Sequence, residues 1–94
     1  MRVLRQGMKD GPGENDVKYW QNFLRGLNLY KFVTDGNFGT NTHDATKKFQ
    51  KQQGLSADGV VGAQTYAKAF ESGFDILDDD DQSKISKPDS NALA

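Results

Sequence analysis

The chain has 94 residues, no cysteine and a formal net charge of −1 at pH 7. This length fits one domain with a modest core. The absence of cysteine excludes disulfides, Cys-ligated zinc and thiol nucleophiles, and the near-neutral charge gives no support for nucleic-acid binding, which requires a clustered basic surface.

A loop rich in glycine, proline and Asn/Asp, residues 7–16, precedes the first predicted helix. Asn15 or Asp16 is suited to cap that helix, which we expect to end between Gly26 and Asn28. Its apolar residues recur at three- and four-residue steps and form one apolar stripe of a helix: Val17, Trp20, Leu24 and Leu27.

A second helix is predicted from Thr40 or Asn41, either of which can cap it, through Gln53, with Gly54 as its stop signal. Its inward face is predicted to hold Thr42, Ala45, Thr46 and Phe49.

A third, shorter helix is predicted from about Ala63 to Ser72, with Tyr66, Ala69 and Phe70 facing inward. No useful length of alternating strand pattern occurs. The sequence therefore predicts an all-α, compact three-helix bundle over residues 1–73.

Residues 74–94 differ in composition from the rest of the chain. They contain six Asp and two Lys, a balance of −4, whereas residues 1–73 carry ten Lys/Arg and seven Asp/Glu, a balance of +3. Four consecutive aspartates and few apolar residues predict a flexible acidic C-terminal tail or linker. Packing of Phe74, Ile76 and Leu77 onto the body is the alternative for its first residues.

An internal repeat links two of the predicted turns. Residues 35–42 and 58–65 both read D-G-x-apolar-G-x-x-T, and both open a helix. We expect each aspartate to accept backbone N–H groups, and Phe38 and Val61 to fill the core. Two helix N-termini in similar settings offer free N–H groups, which suit anionic or carbonyl-rich ligands.

Four spaced motifs resemble the peptidoglycan-binding domain of bacterial and phage cell-wall hydrolases over about residues 4–70. They are W-Q-x-F-L from Trp20, D-G-x-F-G-x-x-T-x-x-A from Asp35, F-Q-x-x-x-G-L from Phe49 and D-G-V-V-G-x-x-T from Asp58. The resemblance implies a three-helix bundle with a shallow groove for glycan or stem peptide. The long loop between Gly7 and Val17, and an acidic segment where family members often continue into a catalytic domain, depart from the pattern.

We place the ligand-binding residues at the two turns, on the second helix and at the start of the third. The predicted site consists of Asp35, Asn37, Thr42, Gln50, Asp58, Thr65 and Tyr66. Tyr66 is the candidate for stacking on a sugar face. The structural alternatives are that the aspartates organise their turns, the threonine hydroxyls cap a turn and Gln50 makes local hydrogen bonds.

The residues for catalysis or metal binding are missing from the pattern. His43 is the single histidine and is interpreted as a surface residue. Glu14 and Glu71 lie at helix edges rather than facing each other across a cleft, and the four aspartates lack the layout of a calcium loop. We expect neither a metal nor a cofactor, and no enzyme activity from this chain alone.

The leading hypothesis is a non-catalytic module that targets the bacterial cell wall or periplasm by binding peptidoglycan. One alternative is a small structural component of a phage particle or contractile injection device; another is the N-terminal targeting part of a cell-wall lysin. Partners are then a fused or associated hydrolase or a phage structural protein. No signal peptide and no membrane span of about 20 apolar residues is visible, so phage-encoded or cytoplasmic production is one interpretation, and a signal that is missing from a cut domain is the other.

Overall fold

The computed structural model describes residues 2–74, and within them the chain forms three α-helices joined by turns. These are α1 (Asp16–Gly26), α2 (Thr40–Gln52) and α3 (Ala63–Glu71). The predicted three-helix, all-α architecture is confirmed. The predicted flexible tail, from residue 75 onward, lies outside the described residues.

Trp20 is at the centre of the core and is fully buried. Its ring meets those of Phe49, Tyr66 and Phe74 edge-on, with centroids 5.7, 6.1 and 5.5 Å away. The indole N–H donates to Thr46 Oγ1 at 2.9 Å, so the one polar group of this ring is satisfied inside the core. One tryptophan thereby contacts residues of all three helices and of the end of the described part of the chain.

The third helix corrects one sequence assignment. Tyr66 and Ala69 are buried as predicted, but Phe70 is 45% exposed. Phe70 lies at the edge of the aromatic cluster, 5.5 Å from the ring of Phe74, which is itself buried. Phe74 therefore packs onto the body, whereas a domain boundary after residue 73 remains a prediction.

An N-terminal segment, residues 4–9, pairs with both D-G-x-x-G turns. Leu4 exchanges two backbone hydrogen bonds with Val61, at 3.1 and 2.8 Å. Farther along, the amide of Phe38 donates to the carbonyl of Met8 at 2.8 Å. The short extended segment therefore fastens the two turns to each other, a pairing that the sequence did not predict.

The cap of α1 comes from the preceding loop and not from Asn15 or Asp16, so that prediction was wrong. Asp10 accepts the amide of Val17 on Oδ1 at 3.0 Å and that of Lys18 on Oδ2 at 3.1 Å. A carboxylate at a helix start also interacts favourably with the helix dipole.

That carboxylate is held in turn by Arg2. The guanidinium of Arg2 lies 2.7 Å from Asp10 Oδ1 and 3.0 Å from Asp16 Oδ2. Hydrogen bonding to Asp16, together with nearby carboxylates, raises the pKa of Arg2 above its ordinary value. The start of the chain is thereby tied to the start of α1.

All three helices end with a residue in the left-handed conformation. Asn28 has φ 65°, Gly54 has φ 73° and Gly73 has φ 103°. In each case the amide of the next residue donates to the carbonyl five positions back, at 2.8–2.9 Å. This is the Schellman ending, which satisfies carbonyls that have no partner in the last helical turn.

Asn28→Gly is expected to raise the free energy of unfolding by about 0.5 kcal/mol, because glycine adopts positive φ without the steric cost of a Cβ. Gly54→Asn is the reciprocal variant and should lower stability by a similar amount. Urea unfolding measured by the fluorescence of Trp20 tests both. A less stable Asn28→Gly variant would show that the asparagine side chain contributes more than its backbone strain costs.

Within residues 2–74 no helix has the length and the apolar character that a bilayer crossing needs.

Candidate functional site

The two D-G-x-x-G turns, here the first corner (residues 35–42) and the second corner (residues 58–65), are built on the same plan. Each leads into a helix, α2 or α3. In each, the first glycine has positive φ, 79° at Gly36 and 75° at Gly59. The apolar residues Phe38 and Val61 are buried, as predicted.

The first corner is held by Gln21, a fully buried residue of α1. Its carbonyl oxygen accepts the amide of Gly36 at 3.0 Å. Its amide group donates to three oxygens of the corner: Asn37 O at 2.9 Å, Thr42 Oγ1 at 2.9 Å and Asp35 Oδ1 at 3.2 Å.

The second corner is held in the same way by Gln50 of α2, which is 1% exposed. Its carbonyl oxygen accepts the amide of Gly59 at 2.9 Å. Its amide group donates to the matching oxygens: Val60 O at 2.9 Å, Thr65 Oγ1 at 3.1 Å and Asp58 Oδ1 at 2.9 Å.

These two glutamine clamps explain why the side chain must be glutamine. Each site offers one backbone donor and several acceptors, and a primary amide matches both. A glutamate has no donor at neutral pH and would place a second charge beside the corner's aspartate. Gln21 was not predicted as a site residue. The available signal was that both glutamines follow an inward aromatic residue and precede a D-G turn.

Asp35 and Asp58 organise their turns, the structural alternative given by the sequence. In each, Oδ1 accepts the amide two residues ahead at 2.9 Å, from Asn37 and Val60 respectively. That backbone bond, followed by the glutamine amide, lowers the pKa of both carboxyl groups below the ordinary value of 3.8. Both side chains remain exposed and ionised at neutral pH.

The two aspartates are expected to reduce the stability of the fold below about pH 4. Because the pKa values of both carboxyl groups are lower in the folded protein, the unfolded chain binds protons first as the pH falls. The stability that the ionised carboxylates provide above about pH 4 is therefore lost as the pH falls through the folded pKa values. Asp35→Asn with Asp58→Asn keeps an acceptor oxygen at each position but does not titrate. The free energy of unfolding of this double variant should therefore fall less steeply with decreasing pH than that of the unchanged protein. Equal slopes for the two proteins would mean that other carboxylates cause the acid sensitivity.

The predicted site residues divide into exposed and buried groups. Asp35, Asn37 and Asp58 are exposed, whereas four are buried: Thr42, Gln50, Thr65 and Tyr66. The hydroxyls of Thr42 and Thr65 accept from the glutamine clamps inside the corners, whereas the predicted capping of α2 by Thr40 or Asn41 is wrong. The N-cap positions of α2 and α3 are glycines, with no side-chain cap at either.

Tyr66 has no open ring face for a sugar. It is 7% exposed, and its ring stacks on Phe74 with centroids 6.1 Å apart. Its hydroxyl donates to the carbonyl of Arg2 at 2.7 Å, and burial raises its pKa to about 12. In this structure Tyr66 therefore holds the start of the chain at Arg2.

A cavity of about 240 Å³, the second-corner cavity, opens beside the start of α3. No residue of the first corner lines it, so the expected common groove across both corners is not formed by this cavity. The amides in the first turn of any helix have no intrahelical partner, and because α3 has no side-chain cap they have no side-chain acceptor within residues 2–74 either. The lining residues are Gln50, Leu55, Ser56, Asp58, Val60, Gly62, Ala63, Gln64 and Thr65.

His43 is half-buried and packs against the second corner, which corrects its interpretation from sequence as a surface residue. Its buried Nδ1 has no hydrogen-bond partner among residues 2–74. The ring lies against Gly59, so that a Cβ placed there would lie 2.2 Å from His43 Cε1. The first turn of α2 thereby packs against the second corner.

In the part of the chain that the structure describes, no group of three or more His, Cys, Asp or Glu side chains is arranged to hold a metal ion.

The sequence profile of the peptidoglycan binding domain family matches residues 13–68. The chain belongs to this family. The match covers more than half of the chain, including both clamps and both corners, but leaves out the N-terminal segment that pairs with them.

Relatives of this peptidoglycan binding domain occur within cell-wall hydrolases. The chain is 41% identical over 56 residues to the N-acetylmuramoyl-L-alanine amidase CwlM of Mycobacterium tuberculosis, which is 60% of this chain but 14% of that enzyme. It is 39% identical over 51 residues to the zinc D-Ala-D-Ala carboxypeptidase of Streptomyces albus G, which is 54% of this chain and 18% of that enzyme. The chain thus spans less than a fifth of these relatives.

Solved structures agree with the sequence relatives. The SleB N-terminal domain superposes with a TM-score of 0.69 at 31% identity, covering 76% of this chain and 92% of that one. An endolysin of the Burkholderia phage AP3 superposes with a TM-score of 0.66 at 31% identity, covering 80% of this chain and 27% of that one.

Proposed function

We propose that this domain binds peptidoglycan without cleaving it, and that wall fragments enter the second-corner cavity. The observation that carries the proposal is the uncapped start of α3, which opens onto this cavity beside the exposed carboxylate of Asp58. Family membership supports the class of ligand, and the geometry supports the place.

The chemistry of the cavity favours the stem peptide over the glycan. Free amides at a helix start attract a carboxylate or a carbonyl oxygen. Asp58 uses Oδ1 within the corner, and Oδ2 makes no hydrogen bond within residues 2–74, so it is available to an amine or amide N–H. No aromatic ring lines the cavity, whereas sugar recognition usually relies on one. A peptide presents both carbonyl or carboxylate oxygens for the amides and N–H groups for Asp58.

The other predicted site residues take three roles in this proposal. Asp35 and Asn37, exposed on the first corner, provide further polar contacts for a longer wall fragment. Gln50 and Thr65 line the cavity and also hold the second corner in shape, whereas the buried Thr42 and Tyr66 act on the ligand only through the structure around it. Affinity is expected to be modest, because the cavity is small and buries few contacts.

Ala63→Glu tests the proposed site. The new carboxylate would lie at the first position of α3, where it stabilises the helix but competes for the amides and repels carboxylates of the ligand. We expect binding to purified sacculi, measured by co-sedimentation, to fall at least about tenfold. Ala67→Glu, one turn along the same helix and away from the cavity, is the matched control. Equal binding by the two variants would place the ligand elsewhere.

We further propose that the domain brings an attached or associated cell-wall hydrolase to its substrate at the bacterial wall. The similarity to part of a phage endolysin and to part of CwlM favours this reading over a structural component of a phage particle. A fusion to a wall-cleaving enzyme tests it. Lysis by the fusion should be faster than by the enzyme alone, and Ala63→Glu should remove that gain.

A further inference from the structure

The loop between α1 and the first corner is longer than its counterpart between α2 and the second corner. The clamp residue precedes the corner's aspartate by 14 positions at Gln21 and Asp35, but by 8 positions at Gln50 and Asp58. Since both clamps form the same bonds with their corners, the six additional residues, three of which lengthen the loop, are not needed to build a corner.

The longer loop presents apolar side chains to solvent. Phe32 is 55% exposed and Val33 is 72% exposed. Together with three neighbours they line a cavity of about 450 Å³. We name this surface the Phe32 patch; it consists of Arg25, Lys31, Phe32, Val33 and Thr34.

Tyr30 holds the Phe32 patch in place. Its buried hydroxyl donates to the carbonyl of Val33 at 2.6 Å and accepts from the amide of Gln21 at 3.3 Å. Its ring packs beside that of Phe32, with centroids 5.8 Å apart. The exposed surface is therefore fixed to the first clamp before any partner binds, which lowers the entropic cost of binding.

The charge of the patch selects an acidic occupant. Arg25 and Lys31 line it without any carboxylate, and neither forms an ion pair with another residue between positions 2 and 74. The second-corner cavity has the opposite character, since Asp58 lines it and no Lys or Arg does. An apolar segment with negative charge therefore fits the patch.

Residues 75–81 of the same chain have this composition. They read Asp-Ile-Leu-Asp-Asp-Asp-Asp, two apolar residues beside five carboxylates. They continue directly from Phe74, which is buried against α1.

A series of contacts connects Phe74 to the patch. The ring of Phe74 lies 5.2 Å from that of Phe23. The next residue, Leu24, has its carbonyl 3.3 Å from the amide of Tyr30. The ring of Tyr30 is 5.8 Å from that of Phe32. Seven extended residues span at most about 25 Å, a length on the scale of this series of contacts.

We propose that residues 75–81 dock on the Phe32 patch of their own chain. Ile76 and Leu77 cover Phe32 and Val33, and the aspartates face Arg25 and Lys31. The interaction combines apolar burial with charge attraction and weakens with salt, because the charges lie near the surface.

Paramagnetic relaxation in the full chain tests the proposal. Since the protein has no cysteine, Gln82→Cys accepts a single nitroxide label. We expect selective broadening of the amide signals of residues 31–34 at low salt and recovery of those signals in about 0.5 M salt. No broadening there, or broadening centred on the second corner, would overturn the proposal.

Charge-reversal variants supply the controls. Arg25→Glu with Lys31→Glu should abolish the broadening, whereas Lys48→Glu with Lys51→Glu, the same change of charge on α2, should leave it intact. Mixing spin-labelled unenriched protein with unlabelled isotope-enriched protein should give none. Broadening in the mixture equal to that within one molecule would assign the patch to a second copy and overturn docking within the chain.

Discussion

Replacing Gln50 with methionine is expected to lower the free energy of unfolding by about 3 kcal/mol, a large share of the 5–15 kcal/mol typical of a small domain. Methionine preserves most of the side-chain volume but removes every polar atom. The amide of Gly59 and the oxygens of the second corner then lose their partner inside the protein. Gln21→Met should have a similar effect at the first corner.

Urea unfolding followed through Trp20, the single tryptophan, provides the measurement, and Gln52→Met is the matched control. Gln52 belongs to the same helix and is exposed, so its replacement should change stability by less than about 0.5 kcal/mol. If the clamp variants were as stable as this control, water would have to form the hydrogen bonds to the polar groups of the corners, and the glutamines would not be needed to hold them.

Gly59→Ala is expected to cost about 3 kcal/mol, for two separable reasons. The first is backbone strain, because φ is +75° at this position. The second is a collision, because the added Cβ would lie 2.2 Å from the ring of His43. To relieve this collision, the ring of His43 must move away from the second corner.

A double-mutant cycle with His43→Ala separates the two causes. In the His43→Ala background the cost of Gly59→Ala should fall to about 1–2 kcal/mol, the backbone contribution alone. Gly26→Ala is the control, since an alanine Cβ there would meet no atom within 4 Å. It should be neutral or slightly stabilising. An unchanged cost in the absence of His43 would mean that the ring contributes nothing to the requirement for glycine.

The positions of the helices and of the corners were accessible from sequence because their causes are local. A stripe of apolar residues predicted α1 and placed Trp20 in the core. The repeated D-G-x-x-G pattern predicted two turns of one design, with Phe38 and Val61 buried. These predictions depend on apolar periodicity and on the conformational freedom of glycine, and both signals lie within a short stretch of sequence.

The remaining features depend on side chains from distant parts of the chain. Asp10 caps α1 from seven positions before Val17, and no local capping rule finds it. Leu4 and Val61 pair only because the fold brings them together. The role of Gln21 required knowledge of which helix face meets the first corner.

The same distinction applies to the candidate site. The sequence located Asp58 and the start of α3, both of which border the second-corner cavity. It also nominated Tyr66 as a platform for sugars, because an amphipathic ring after a turn often serves that purpose. The hydrogen bond from Tyr66 to the backbone of Arg2 decides otherwise, and that contact spans 64 positions.

The most direct test of the account is an NMR titration of the isotope-enriched chain with soluble muropeptides. We predict saturable shifts of the amide signals of Ala63, Gln64 and Thr65, together with that of Asp58, and a larger response to stem peptide than to glycan lacking peptide. Saturable shifts that leave the start of α3 unchanged, or no shifts at concentrations where the chain sediments with sacculi, would contradict the proposed site.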